Sequence, residues 1–421
     1  MTAYSDSLNY LYGLEKFGMV FGLENIQWLL NLIENPHYNL KTIHIAGTNG
    51  KGSVATMLSN ILKKAGYTVG KYTSPHLVSF TERIAVNEEE ISEHDVVELT
   101  QYLREKISKK DDSRFFSFFD FTTALAIEYF SRKKADISIM EAGLGGRLDS
   151  TNVIDPMISI ITNISHDHTQ YLGKDLSDIT KEKAGIIKSN KPVITGASDQ
   201  SADIIEKTAK NFNSPVYKLH KDFSYIKTGD QRMSYNGIIK NIEDISINLM
   251  GDHQLVNCAI ALCAIELLSC QGFDVDEDSI RQALLSMKWQ GRLEFINKKP
   301  PIILDGAHNP DGARVLAEFF KSHYKDKKKI LILGVMKDKD YRKIIEKIVP
   351  SIDTVIFTKA STERALQPEK IKQYVDNSFV EKNVRSALIK AKEIADENSL
   401  ILVTGSFYII GEAKTIIDEI F

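Results

Sequence analysis

Short β-branched runs alternate with amphipathic segments along almost the whole chain. Residues 41–47, "KTIHIAG", read as a buried strand. The next segment, "GKGSVATMLSNILKKAG", places Val54, Met57, Leu58, Ile61 and Leu62 at helical spacing, so it is expected to form a helix with one apolar face. "ISEHDVVELTQYLREKI" opens with Ser92 and Asp95 at capping-box spacing, a helix start. "FTTALAIEYFSRKKAD" predicts a helix feeding a strand at 137–143, and residues 156–164 predict another strand. "HQLVNCAIALCAIELLSCQG" is apolar on most faces and reads as a buried helix. From about 222 to 249 the runs shorten, and Asn236-Gly237 between two of them is a hairpin signal, which predicts an antiparallel insertion. After residues 289–301 a second alternating series begins with "IILDGAHNPDG" and "KILILGVMKDKD" and ends with "LILVTGSFYIIGE". Strands alternating with helices predict an α/β protein with two parallel-sheet domains, 1–295 and 296–421. The stretch Lys298-Lys299-Pro300-Pro301 is the expected linker.

A chain of 421 residues exceeds one ordinary core, which agrees with two domains. A net charge of −3 gives no electrostatic reason to expect nucleic acid or a membrane surface as partner. Cys258, Cys263 and Cys270 share one predicted helix without a CxxC pair, and core packing in a reducing compartment is expected. The opening "MTAYSDSLNY" lacks a basic and an apolar region of signal-peptide type, and the apolar runs are too short or interrupted for a membrane helix. The expectation is a cytoplasmic monomer.

Position narrows the chemistry. "GTNGKGS", "EAGLGGR", "SHDH", "DGAHNP", "VMKDKD" and "TGSFY" each begin where a predicted strand ends. Open parallel sheets bind ligands beyond those ends, so the six clusters predict one site between two domains. The first departs from the common phosphate loop, because two residues separate Gly47 from Gly50-Lys51 and Gly52 precedes Ser53. Its glycines still allow backbone N–H groups to point inward, while the helix N-terminus and Lys51 add positive charge. A tight glycine turn without a ligand fits the residues as well. "HDH" could be half of a zinc site, yet neither a CxxC pair nor an HExxH motif accompanies it.

The form GTNGKGS resembles the phosphate loop of the Mur ligase superfamily, in particular its folylpolyglutamate synthase and dihydrofolate synthase branch. The resemblance extends over nearly the whole chain. "KFGMVFGLENIQWLL", "YTSPHLVSFTERIAVN", "FFDFTTALAIEYF", "MEAGLGGRLDSTN", "HDHTQYLG", "KEKAGIIK", "GDHQLVN", "WQGRLE", "DGAHNPDG" and "GVMKDKD" follow in family order. Asp120 stands where the family usually carries glutamate.

The resemblance implies a P-loop-type ATPase domain with a small antiparallel insertion, followed by a Rossmann-like domain. It also implies an ATP- and Mg²⁺-dependent ligase that joins L-glutamate to a folate through an acyl phosphate. The acceptor is left open between dihydropteroate and an existing folyl glutamate. Gly47, Thr48, Asn49, Gly50, Lys51, Gly52 and Ser53 would cradle the ATP phosphates, with Lys51 on the β- and γ-phosphates. Gln254 and Asn257, three apart on one helix face, would reach the nucleotide with Asp305 and Arg292, and His308 would lie near the reacting phosphate. Ser74, Glu141 and His168 are the implied ligands of two magnesium ions, and Lys183 matches a carbamylated lysine that completes the second site. Arg83 and Ser406 are candidates for the carboxylates of glutamate. Asp149 and the cluster Phe118, Phe119 and Phe121 would suit a flat pterin. Two rivals remain: another Mur-type amide ligase acting on a cell-wall precursor, and a nucleotide-switched binding protein that makes no bond.

Overall fold

The computed structural model describes all residues except 1, 18–21, 111–113 and 377. Part of the segment 16–30 that resembles the family's N-terminal approach therefore lies outside the described residues.

The first sheet has eight strands, and its order from one edge is Glu89–Glu90, Ile84–Val86, Val69–Tyr72, Ile137–Glu141, Thr42–Ala46, Ile158–Ile161, Val193–Thr195 and Val216–Lys218. The last six run parallel, and the first two form an antiparallel edge on Val69–Tyr72. Thr42–Ala46 is buried at every position, as a central parallel strand requires. Helices cover both faces. One core packs Lys51–Lys64 and the largely apolar helix His253–Ser269 against the sheet, and the other packs Phe118–Arg132 with the N-terminal helices Ala3–Gly13 and Glu24–Leu32. Ser92 caps Glu93–Ser108 by accepting from the Asp95 N–H at 3.0 Å.

The predicted insertion is a three-stranded antiparallel sheet, Ser224–Gly229, Arg232–Asn236 and Asn241–Ser246. Buried Glu266, on the same largely apolar helix His253–Ser269, accepts from the Tyr235 hydroxyl at 2.8 Å and from the turn N–H groups of Ile238, Ile239 and Lys240 at 2.8–3.1 Å. Those bonds satisfy a carboxylate that burial would otherwise penalise.

The second sheet has six strands in the order Glu294–Ile296, Ile302–Leu304, Ser399–Thr404, Lys328–Leu333, Thr354–Phe357 and Ser378–Val380. All but the first are parallel to their neighbours. Glu294–Ile296 pairs antiparallel with Ile302–Leu304, so Lys298–Pro301 belongs to a hairpin connection inside this sheet and is no linker. Two prolines that cannot donate to a ladder suit a hairpin loop as well as a linker, and the sequence does not separate the two. One expectation for the cysteines also changes. Cys258 and Cys263 are buried, whereas Cys270 is exposed at the helix C-cap. Among the described residues, no helix is long and apolar enough to cross a membrane.

Candidate active site between the two sheets

All six clusters lie at the carboxyl ends of parallel strands, and the two sheets direct theirs toward each other. The loop after Thr42–Ala46 ends at Gly50, which caps Lys51–Lys64 with φ +85°. A side chain there would meet more than strain, because an added Cβ would lie 2.4 Å from Asn257 Oδ1. Asn257 Nδ2 donates to Gln254 Oε1 at 2.9 Å. The polar pair of the buried helix thus lies against the loop. The Thr48 N–H donates to the Asn163 carbonyl and the Asn49 N–H to Asn163 Oδ1, at 2.9 and 2.7 Å, which fixes the loop to the end of Ile158–Ile161. Half-buried Lys51 and buried Gly52 and Ser53 begin the helix, and the indole of Trp289 packs against Gly52.

Lys51 Nζ lies 3.8 Å from Glu141 Oε1 and donates to the Thr48 carbonyl at 3.4 Å. Glu141 Oε2 accepts from the Ser74 N–H at 3.2 Å, so Ser74, Glu141 and Lys51 come together. Burial raises the Glu141 carboxyl above the ordinary carboxylate range, against the opposing charge of Lys51. Lys183, on Leu176–Ala184, is buried and donates to the Gly47 carbonyl at 2.8 Å. Burial, reinforced by the charge of Lys51, lowers its amine to about 7.

His168 falls in a second cluster, where the domains meet. Lys339 Nζ lies 3.1 Å from His168 Nε2 and donates to Asp167 Oδ1 at 2.6 Å. Burial pulls the His168 imidazole down to about 4, against the charge of Asp167. Asp167 Oδ2 accepts from Asn309 Nδ2 at 3.2 Å and lies 3.3 Å from His308 Nε2. Burial would raise the Asp167 carboxyl, but His308 and then Lys339 overcome that effect and hold it far below the usual range. His308 Nδ1 lies 2.8 Å from the Gly306 carbonyl. Asn309 Nδ2 also donates to Asn49 Oδ1 at 2.9 Å, and Asn49 Nδ2 to Asp311 Oδ2 at 3.0 Å. The phosphate-type loop is therefore bonded directly to the start of Pro310–His323 in the second domain.

Asp305 and Arg292 have different surroundings. Asp305 accepts from the Leu293 and Ala307 N–H groups, both at 2.9 Å, and so ties the chain crossing between domains to the "DGAHNP" loop. The Arg292 guanidinium lies 4.7 Å from the Phe407 ring centre, and its Nε is buried without a partner. Burial lowers its pKa, with Asp305 and Glu141 acting in the opposite direction.

A cavity of about 480 Å³ opens between these clusters. Ser74, Arg83, Phe118, Phe119, Asp149 and Gly143 line it from the first domain, and His308, Lys339, Arg364, Ser406 and Tyr408 from the second. Arg83 Nε donates to His76 Nδ1 at 2.7 Å, and its guanidinium lies 5.0 Å from the Phe118 ring centre. Burial, then the charge of Arg83, lowers the His76 ring to about 3. Ser406 caps Phe407–Ile420 by accepting from the Ile409 N–H at 3.2 Å. Asp149 accepts from the Leu144 and Thr151 N–H groups at 2.8 and 3.0 Å. Phe121 does not reach the cavity. It is fully buried, with its ring edge-on to Tyr10 at 5.4 Å. Phe118 and Phe119 are the first two residues of the helix and stand at the opening, whereas Phe121 lies about one turn farther along, inside the core. Asp120 closes a capping box with Ser117 and accepts from Ser150 Oγ at 2.7 Å, which ties the helix start to the Asp149 turn. A glutamate would carry the same carboxylate one methylene farther.

Asp167, Lys339, Asn163 and Asn309 receive no role from the sequence. Their signal is position, since each lies in or beside a strand-end cluster.

The Mur ligase middle domain family matches residues 45–265, and the Mur ligase glutamate ligase domain family matches residues 291–407. A dihydrofolate synthase/folylpolyglutamate synthase of Bacillus subtilis is 32% identical over 98% of this chain and 99% of its own. The crystal structure of a Thermotoga maritima folylpolyglutamate synthase is similar with a TM-score of 0.85 and 36% identity, covering 99% of this chain and 97% of that one. Escherichia coli FolC in complex with DHPP and ADP is similar with a TM-score of 0.90 and 28% identity, covering 98% of each chain. The chain thus belongs to the Mur ligase family, in the branch of folylpolyglutamate and dihydrofolate synthases, ATP-dependent ligases that add glutamate to folates.

Proposed function

We propose that the two-domain cavity is where a folate carboxylate is activated by ATP and joined to L-glutamate. The observation that carries this reading is a cavity walled by Phe118 and Phe119, under cationic groups of the second domain, whose lining residue Ser74 bonds Glu141 beside Lys51 of the glycine loop. In the first step the acceptor carboxylate attacks the γ-phosphorus of ATP, ADP leaves, and an acyl phosphate forms. The glutamate amine then adds to the acyl carbon, loses a proton, and inorganic phosphate departs as the amide forms. Such transfer needs alignment and charge neutralisation more than covalent help from the protein. Lys51 and the N–H groups of the loop suit the β- and γ-phosphates, with Ser53 beside them. Gln254 and Asn257 suit the nucleotide, as does Arg292 with its unpartnered Nε. Asp305 serves it indirectly, by holding the turn that follows Arg292. His308 suits the phosphoryl group in transfer.

The donor set fits magnesium at one place. Ser74 and the Glu141 carboxylate offer hard oxygen ligands beside the loop, and a bound ion would offset the charge on the phosphates. His168 fits a second ion less directly, because Lys339 engages its outer nitrogen. An amine lowered to about 7 leaves Lys183 substantially neutral at physiological pH, the form that carbamylation by CO₂ requires. Arg83 and Ser406 are offered to the carboxylates of glutamate. Asp149, Phe118 and Phe119 are offered to the pterin, with Phe121 supporting them from the core.

The test is phosphate release with ATP and Mg²⁺, with glutamate and either dihydropteroate or tetrahydrofolate, each omitted in turn. Release that requires acceptor and glutamate is the expected result, and the productive acceptor separates one synthase activity from two. Release with ATP alone would favour the nucleotide switch and overturn the reading.

A further inference from the structure

Asp167 has an unusual set of neighbours. It lies in the loop that follows Ile158–Ile161 of the first sheet, yet its carboxylate faces three groups of the second domain. These are Lys339 Nζ at 2.6 Å, Asn309 Nδ2 at 3.2 Å and His308 Nε2 at 3.3 Å. The side chains of Asp167 and Lys339 are only 9% and 7% exposed, so solvent screens this pair little. The three groups lie in two loops that follow parallel strands of the second sheet, His308 and Asn309 after Ile302–Leu304 and Lys339 after Lys328–Leu333. Asn309 continues the connection to Asn49 of the glycine loop.

We propose that Asp167 is a positioning residue, which from the first domain fixes Lys339 and His308 of the second over the glycine loop and so keeps their charge and hydrogen-bonding nitrogens aligned with the phosphoryl group in transfer. The inference rests on the ligase reading above. Asp167 touches no reacting atom in this account and acts only through its partners. A carboxylate suits the task, because charge-assisted bonds are short and directional and a buried ammonium needs a counter-charge.

The test compares Asp167→Asn, Lys339→Met and the double variant with the wild type, in full-length protein. Asparagine keeps the shape and an acceptor but removes the charge. Both single variants are expected to lower kcat by about 100-fold, with KM for ATP within about threefold, as expected when alignment rather than ground-state binding is lost. The double variant should lie within about threefold of the worse single one, because the residues act as one unit. Hydrogen exchange without any ligand supplies a second readout. Amides of residues 306–312 and 336–340 should exchange faster in Asp167→Asn, while those of the strands keep their protection. Losses that multiply in the double variant would overturn the proposal, as would unchanged exchange in both segments. Should Asp167→Asn not fold, Lys339→Met tests the same link through exchange at 306–312, where no change would overturn it. Wild-type turnover that does not need glutamate would sink the ligase reading instead, and the exchange result would still decide the role of Asp167.

Discussion

At the scale of single residues, charge and the absence of a side chain do the work at the glycine loop. Among the described residues Lys51 has one anionic neighbour, Glu141 at 3.8 Å, and a weak bond to the Thr48 carbonyl, which leaves donor capacity for the phosphate proposed above. Lys51→Ala is expected to lower turnover by about 100- to 1,000-fold, the range found when one charge-stabilising donor is removed. Near-wild-type phosphate release would remove Lys51 from the site. Gly50 offers a steric test. Its φ of +85° and the 2.4 Å approach to Asn257 Oδ1 mean that Gly50→Ala must displace either the loop or the Gln254–Asn257 pair. A left-handed alanine costs about 1–3 kcal/mol, so ATP affinity measured by titration calorimetry should fall by about tenfold or more. Unchanged affinity would show that the loop tolerates another path. Lys51 and Gly50 are legible in sequence because their chemistry is local. Asp167 and Lys339 are not, since an ion pair 172 residues apart depends on how two sheets meet.

At the scale of elements, the strand Thr42–Ala46 carries one polar ring into the core. His44 is completely buried, and its Nε2 lies 2.8 Å from Thr151 Oγ1. Thr151 in turn donates to Asp149 Oδ1 at 2.5 Å, so its hydroxyl is left to accept from the imidazole. The strand thus orients the turn that presents Asp149 to the cavity. Burial, then the charge of Lys188, lowers the His44 ring to about 3 from an ordinary 6.5. Between those values the unfolded chain binds a proton that the folded one refuses. The stabilisation is complete above pH 6.5 and is lost as pH falls toward 3, by at most about 1.4 kcal/mol per pH unit. Urea unfolding of wild type and His44→Gln between pH 7 and 4 checks this. The wild type should lose its advantage steadily on acidification, and parallel curves would show that His44 stays accessible to protons. Regular elements of this kind were readable from period and caps, because Val54 to Leu62 or Ser92 with Asp95 encode them within a few residues. What misled was ambiguous chemistry. Prolines at 300 and 301 suit a linker or a hairpin, Cys270 follows the helix register yet lies beyond its last buried turn, and Phe121 differs from Phe118 and Phe119 only by lying about one turn deeper along the helix.

At the scale of the molecule, the geometry of the cavity depends on how closely two separately cored domains approach. The helix Phe407–Ile420 meets the loop that carries Ser74 and Leu77, and Gly411 makes that approach possible. A Cβ on Gly411 would lie 2.1 Å from the Leu77 carbonyl oxygen, a backbone atom that cannot swing aside. Gly411→Ala therefore forces the domains apart or tilts the helix, although alanine favours a helix interior by about 1 kcal/mol over glycine. The two effects separate cleanly. If the second domain alone mattered, the variant would be as stable as the wild type or more so, with unchanged activity. If the cavity requires this approach, a displacement near 1 Å is enough to reduce kcat by about 100-fold. Thermal unfolding measured beside glutamate-dependent phosphate release distinguishes them. The expected result is a melting temperature close to that of the wild type with turnover largely lost, because Ser406 at the start of the same helix and Ser74 beside Leu77 would no longer face one another across the cavity. Retained turnover would mean that the domains accommodate the methyl group by a shift elsewhere, and that the site tolerates a looser fit than its packing implies.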